Sequence, residues 1–446
     1  MKQIDFSQGS ITKNIFQTAI PMLVAQVLNL LYNIVDRIYI GRIPTVGSLA
    51  LGAVGLCFPV ITILSAFANL YASGGGPIFA IERGRKELNH ASRIMNTCFY
   101  LLIWTALILT LLGFVFAKPM LILFGASVNT LPYCLPYLRI YLIGTLFSMI
   151  TIGMNPFINA QGYPKAGMVT VLIGALANLI LDPLFIFTFG MGVKGAAIAT
   201  IISQFLSALF VLYFLSKDSI EIRLKKCRLK DLYRVKDILS LGLSGFIMQL
   251  TNGLVQVSCN SVLSQCGGDL YISIMTIVSS VRQMLEIPIW SLTDGASSII
   301  SYNYGAKQNN RVKKAFHVMF LMTLVYAGLV CLAIESFPAF FISIFSNDSQ
   351  ILVKAIPALH LYFFAFIFMV FQYCGQTMFK ALNKRGYAIF FSLLRKAIIV
   401  IPLTYLLPFV FGYGSNGVFM AEPISNVLSG ILCIVTMFLT VWKELV

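Results

Sequence analysis

Two aspartates, Asp36 and Asp182, each stand inside a long apolar run. Asp36 closes a series with Gln26, Asn29 and Asn33 whose spacings of 3, 4 and 3 put all four side chains on one helical face. Asp182 follows Asn178 by four residues and so shares its face. Pro183 cannot donate to the Leu179 carbonyl, which leaves backbone oxygen available near the Asp182 carboxylate. Carboxylate, amide and carbonyl oxygens together are the donor set of a hard monovalent cation. Two carboxylates held close in a low dielectric repel, so one carries a proton or a cation lies between them, and an ion gradient thereby gains a handle on the protein. Arg139 offers an alternative, a structural ion pair with one of the two.

The elements that must position these groups follow from composition. With 58% apolar and 11% charged residues, against roughly 25% charged in soluble domains, an ordinary cytosolic enzyme is excluded. Twelve apolar runs are long enough to cross a bilayer, at 15–41, 50–79, 92–116, 131–157, 165–188, 193–215, 238–264, 271–299, 314–336, 353–381, 386–411 and 417–442. The expected class is an all-α polytopic membrane protein of twelve transmembrane helices in two six-helix lobes, here 1–215 and 238–446, joined by a basic linker, 216–237. No removable signal peptide is expected from the start of the chain. Loops after even-numbered spans carry 20 Lys and Arg and those after odd-numbered spans 5, which places both termini in the cytoplasm of a plasma-membrane protein. The formal charge of +16 therefore reads as an orientation signal beside anionic lipid, not as a nucleic-acid footprint. On this topology Asp36, Asp182 and Thr200 lie 5, 6 and 7 residues from the outer ends of their spans, roughly 8–11 Å deep.

The halves repeat at an offset of 221–223 residues. Gln26, Asn29 and Asn33 recur as Gln249, Asn252 and Gln256, Pro136 and Tyr141 as Pro357 and Tyr362, and Gly190, Gly192 and Gly195 as Gly412, Gly414 and Gly417. An offset of six spans, an even number, makes the repeats parallel, and a binding site is expected between the lobes. Amides are costly against lipid, so Gln26, Asn33, Gln249, Asn252 and Gln256, with the midplane carboxylate Glu286, are the candidate substrate contacts; interhelical hydrogen bonding is their structural alternative. Cys259 stands where Asp36 would repeat. Glu286, Asp294 and Glu422 face Arg282, Arg395 and Lys396 in the second half, a near-neutral set suited to internal pairing as well as to binding. Nine cysteines without a C-x-x-C pair and three scattered histidines suggest neither disulfides nor zinc, and no nucleophile–base constellation suggests an enzyme.

The chain resembles the multidrug and toxic compound extrusion (MATE) transporters over essentially its whole length, through Ile34-Val35-Asp36-Arg37-Ile38-Tyr39-Ile40-Gly41, Leu181-Asp182-Pro183-Leu184-Phe185 and Tyr302-Asn303-Tyr304-Gly305-Ala306-Lys307. The resemblance implies a cation site formed by Asp36, Asn178, Asp182 and Thr200, binding Na⁺ or H⁺ as coupling ion with no further cofactor. It also implies export of small organic, often cationic compounds by a monomer that alternates between inward- and outward-open states. The match is incomplete in the second half, where spans 7 and 10 lack the carboxylates of some relatives. A flippase for a lipid-linked saccharide is the alternative, and it requires a cationic cleft for pyrophosphate.

Overall fold

The computed structural model describes residues 3–44, 46–225, 232–346 and 348–445. It is 85% helical, with no strands among the described residues. In chain order the helices are α1 (Ile11–Gly41), α2 (Gly47–Gly55), α3 (Phe58–Gly84), α4 (Leu88–Leu123), α5 (Leu131–Ile143), α6 (Thr145–Ala160), α7 (Pro164–Pro183), α8 (Gly192–Ser216) and α9 (Val235–Cys266). Then follow α10 (Gly268–Gly305), α11 (Asn309–Ser336), α12 (Pro338–Ser343), α13 (Ser349–Phe363), α14 (Phe368–Ala381), α15 (Arg385–Leu393), α16 (Ile401–Phe409) and α17 (Gly414–Leu439). Two π segments, Leu184–Thr188 after α7 and Leu394–Val400 between α15 and α16, continue their helices without a break.

Ten helical stretches are long and apolar enough to cross a membrane, and two bent pairs bring the number to twelve if each is one span. The bent pairs are α5–α6, at 55°, and α13–α14, at 46°. Both bends occur where the backbone tightens: Gly144 donates to Tyr141 O at 2.9 Å, and Phe366 to Phe363 O at 2.9 Å, each an i→i−3 bond in place of i→i−4. Helix surfaces are apolar on the outside. On α7, Ile180 is 66% exposed while Asp182 is fully buried, the inverse of a soluble amphipathic helix and suited to lipid.

The chain divides into two compact units. One comprises Met1–Asp5 and Ile20–Phe246, the other Phe6–Ala19 and Ile247–Val446. Their internal packing is the same: α3 against α4 and α6, α6 against α8 and α7 against α8 in the first correspond to α10 against α11 and α14, α14 against α17 and α16 against α17 in the second. The duplication reaches single residues. Left-handed backbone recurs at Lys86 and Lys307, Gly162 and Asn383, Gly190 and Gly412, and Gly192 and Gly414.

Gly195 and Gly417 sit at matching close approaches of two backbones. A Cβ at Gly195 would lie 2.7 Å from the Phe185 carbonyl carbon, and one at Gly417 would lie 2.7 Å from Pro408 N. Gly195→Ala and Gly417→Ala are each expected to destabilise by about 1–3 kcal/mol through forced separation of two backbones. In contrast, Gly328→Ala in α11, whose added methyl meets nothing within 4 Å, should stabilise by up to about 1 kcal/mol. Thermal unfolding of the purified protein reads both.

The segment 216–237 exposes charged side chains such as Lys217, Asp218, Arg223 and Lys225 and is also anchored to the first unit; residues 226–231 lie outside the described residues. Ile220 and Ile222 are buried, Glu221 pairs with Arg83 at 3.0 Å, and Arg234 pairs with Glu82 at 2.7 Å. Backbone amides of Ile222, Lys225 and Tyr233 donate to the side chains of Gln161, Asn96 and Thr97. These contacts reach positions on α3, α4 and the end of α6 that are distant in sequence, and charge composition does not reveal them.

Candidate functional site

In the first unit, α1 brings Asp36 to α7. Asn178 and Asp182 are one turn apart on α7 and both buried, and Asn178 Nδ2 donates to Asp182 Oδ1 at 3.1 Å. The carboxyl groups of Asp36 and Asp182 meet in side-chain hydrogen-bond contact. Asp36 Oδ1 and Asp182 Oδ2 are buried without a hydrogen-bond partner. A carboxyl pair in contact with two unused oxygens is a short-range trap for a proton or a small cation.

Among the described residues neither carboxylate forms an ion pair, although Arg37 lies within electrostatic reach of Asp36. Arg37, next to Asp36, is exposed and lies over the Phe58 ring at 4.6 Å. Arg139 is exposed and enters no ion pair among the described residues, which removes the structural pairing that its depth had suggested. Thr200 is half-buried on the adjacent α8, and its hydroxyl donates to Ala196 O at 2.9 Å. That bond uses the proton and leaves the oxygen lone pairs available.

Four residues around the pair were not anticipated. Tyr32 and Tyr137 lie within electrostatic reach of both carboxyls. Tyr137 stacks on Tyr141 at 6.3 Å, and Gln204 Nε2 donates to Tyr141 Oη at 3.2 Å. Tyr32 is four residues before Asp36 and Gln204 four after Thr200, so helical spacing from the known members could have found both. Beyond them the surroundings are apolar: Ile40, Ala50, Val54, Leu138, Ile186, Val193 and Ala197 are buried in one cluster, and such packing keeps the local dielectric low.

The amide stripes are exposed to half-buried, against the fully buried Asp182. In the first unit Gln26 is exposed, and Asn33 is half-buried, donating to Asn29 O at 2.6 Å and Asn29 Oδ1 at 3.2 Å. In the second unit Asn252 is exposed, Gln249 is half-buried, and Gln256 donates to Asn260 Oδ1 at 3.2 Å. The bonds of Asn33 and Gln256 thus run within their own helices.

Glu286 belongs to a buried ionic cluster in the second unit. Arg282 Nε donates to Glu286, Arg282 Nη1 lies 2.5 Å from Glu422 Oε1, Lys396 donates to the same oxygen, and Arg395 Nη2 stands 3.8 Å from Glu422 Oε2. Asp294 is not a member. It is exposed and sits beside Lys380, so the near-neutral set of three against three becomes three cations against two carboxylates. No group of three or more His, Cys, Asp or Glu suited to a metal ion occurs among the described residues.

A family profile described as MatE matches residues 21–184 and 246–406, one stretch in each half and together well over half of the chain. The chain belongs to the MatE family. MatE proteins are secondary transporters rather than enzymes, and this one is a multi-span membrane transporter. Among its relatives, the multidrug export protein MepA of Staphylococcus haemolyticus (strain JCSC1435) is 26% identical over 411 residues, covering 91% of this chain and 89% of that protein. MepA of Staphylococcus aureus (strain NCTC 8325 / PS 47) is 26% identical over 410 residues with the same coverage. A solved structure described as the outward-facing conformation of a multidrug resistance MATE family transporter of the MOP superfamily superposes with a TM-score of 0.91 at 22% identity, over 100% of this chain and 99% of that one. The MatE assignment agrees with the paired helical units, and the all-α, duplicated twelve-span reading of the sequence is thereby established.

Proposed function

We propose that this MatE protein is a cation-coupled antiporter that exports amphipathic, often cationic organic compounds across the plasma membrane. One observation carries the reading: two carboxyl groups in contact, Asp182 buried and Asp36 half-buried, each with a buried oxygen that has no hydrogen-bond partner and neither in an ion pair among the described residues. Na⁺ or H⁺ entering that site is the coupling step, with Asp36 and Asp182 as ligands, Asn178 holding Asp182 in place, and the Thr200 oxygen nearby as a further donor. The multidrug-export role in the name of the MepA relatives supports the substrate class. The protein works as a monomer with both termini cytoplasmic, its lobes 1–215 and 238–446 linked by 216–237. Alternating access then exposes the amides Gln26, Asn33, Gln249, Asn252 and Gln256 to substrate. The flippase alternative is disfavoured by the second-unit cluster. There the excess is one positive charge, too little to hold a pyrophosphate.

The test is accumulation of an organic-cation dye in proteoliposomes under imposed Na⁺ or H⁺ gradients. One gradient should drive uphill movement; equal, purely downhill movement under both and under neither would overturn the reading. If Na⁺ is the ion, a concentration one hundred times its Kd should stabilise the purified protein by about 2.7 kcal/mol. Asp182→Asn should abolish that response in a thermal-unfolding series.

A further inference from the structure

The repeat that gives the first unit its carboxyl pair places different chemistry at the matching positions of the second. At offsets of 222–223 residues, Asp36 corresponds to Cys259, Asp182 to Thr404 and Thr200 to Glu422. The correspondence is spatial as well as sequential: Cys259 is buried beside Thr404, Glu422, Lys396 and Arg282. Arg282, Glu286, Arg395, Lys396 and Glu422 are all less than 10% exposed. Three buried cations facing two carboxylates leave a surplus positive charge where each unpaired ion costs several kcal/mol.

Hydrogen bonding shows where that surplus lies. Arg282 is engaged by Glu286, by Glu422 and by the Tyr362 hydroxyl at 2.9 Å. Lys396 is engaged by Glu422 Oε1. Arg395 is engaged least, its Nη2 standing 3.8 Å from Glu422 Oε2, beyond hydrogen-bond reach. Its Nε and Nη2 have no hydrogen-bond partner, and these two atoms form one edge of the guanidinium, the fork that receives a carboxylate in bidentate fashion. The fork is held in place from two sides: the guanidinium lies over the Tyr373 ring at 5.3 Å, and Ser425 Oγ donates to Arg395 O at 2.8 Å. Consecutive side chains of an α-helix point about 100° apart, yet both Arg395 and Lys396 are buried, and they sit in the π segment Leu394–Val400. Asn426 Oδ1 is also buried without a partner, and this amide can turn an N–H outward in its place.

We propose that this cluster is a monovalent-anion site, with the Arg395 fork as its recognition element, and that it takes the carboxylate of zwitterionic compounds among those exported. The substrate half of this statement rests on the export reading above; the binding half does not. A single carboxylate brings the cluster to neutrality. A dianion would overshoot, and a bare organic cation would be repelled. Zwitterions would then be carried with their acid group at this cluster, and organic cations without an acid group would be carried without using it.

Purified full-length protein in chloride-free methanesulfonate buffer is titrated with benzoate, with chloride and with benzylammonium, and thermal stability is followed. Benzoate should stabilise the wild type saturably and benzylammonium should not. Arg395→Gln should weaken benzoate by about 10- to 100-fold, as expected for loss of a charge-assisted bidentate pair, and Arg395→Lys should fall between. Stabilisation by benzoate alone assigns the site to a substrate carboxylate; stabilisation by benzoate and chloride alike, or by chloride alone, upholds an anion site but moves its occupant to a free inorganic ion. No saturable response to either anion, or an undiminished response in Arg395→Gln, overturns the proposal. Should Arg395→Gln fail to fold, Arg395→Lys decides, since a wild-type benzoate response in it excludes the fork. In proteoliposomes, transport of a zwitterionic dye and its methyl ester separates the two readings. A fall of about tenfold in the acid-to-ester ratio of kcat/KM in Arg395→Gln, with ester transport retained, supports carboxylate selection. An unchanged ratio refutes that selection while leaving cation-coupled export standing, and failure to export either compound under any gradient sinks the export reading while the titration still judges the anion site.

Discussion

Asp36→Asn is expected to abolish gradient-driven export while leaving the protein folded. The substitution preserves shape and removes one of two charges that face a bound cation. At about 4 Å and an effective dielectric near 20, one carboxylate contributes about 4 kcal/mol to holding a monovalent cation, close to a thousandfold in affinity. Folding should be little affected, or improved, because the native pair holds two mutually repelling carboxyls in contact and the variant relieves that repulsion. Dye accumulation in proteoliposomes under the driving gradient should fall to the level of empty liposomes, whereas the thermal midpoint should stay the same or rise. Asp182→Asn should behave alike in transport. Asn178→Ala should be milder, since it removes only the 3.1 Å bond that orients Asp182, worth about 1.5–3 kcal/mol for a hydrogen bond to a charged group.

Glu422→Gln should have the largest effect on stability. Glu422 is the carboxylate shared by Arg282, Lys396 and Arg395, and without it three buried cations retain only Glu286. Breaking a buried ionic set by removing one partner costs about 3–5 kcal/mol, a large part of the 5–15 kcal/mol that typically holds a domain together. The variant should give little folded protein and a thermal midpoint far below wild type. Adding Lys396→Met, which restores the original charge excess with an apolar side chain of similar length, should recover most of the loss. Glu286→Gln should cost less, because Arg282 keeps Glu422 and Tyr362. Unfolding of the detergent-solubilised proteins, followed by tryptophan fluorescence, measures all three.

The first-unit site was legible because charge is rare in spans and each carboxylate there demands a reason. Asp36, Asn178 and Asp182 could be grouped by i,i+4 spacing and equal depth, and the structure brings these three together. Thr200 lies on α8, which packs against α7, and its hydroxyl direction depends on a local bond to Ala196 that no spacing rule reveals. Tyr137 and Tyr141 were hidden among 19 tyrosines and 36 phenylalanines, most of which pack or face lipid. In the second unit, pairing failed for one residue: Asp294 is nearer Lys380 than the cluster, a choice made by the packing of α10 on α14. The joint burial of Arg395 and Lys396 was equally hidden, since a regular helical period separates neighbours and a π segment leaves no pattern in sequence.

The twelve spans were readable from hydropathy alone, but their interruptions were not. Pro136 and Pro357 are visible in the sequence, yet the bends fall at Gly144 and at Phe364–Ile367, where i→i−3 bonds replace the regular ladder. The repeat, by contrast, was read from glycines and prolines, and the structure shows why they recur: Gly190, Gly192, Gly412 and Gly414 adopt left-handed backbone, and Gly195 and Gly417 sit where a methyl group would strike the neighbouring helix.

The central claim is that the Asp36–Asp182 pair carries the coupling ion, and ion movement itself tests it most directly. Proteoliposomes are loaded with a transported organic cation and diluted to create an outward substrate gradient, while entry of ²²Na⁺ and of protons is followed with no ion gradient imposed. In the wild type, substrate leaving should drive one of the two ions inward, and in Asp182→Asn neither ion should move while the substrate still binds. Inward movement of that ion in Asp182→Asn at the wild-type rate would contradict the account.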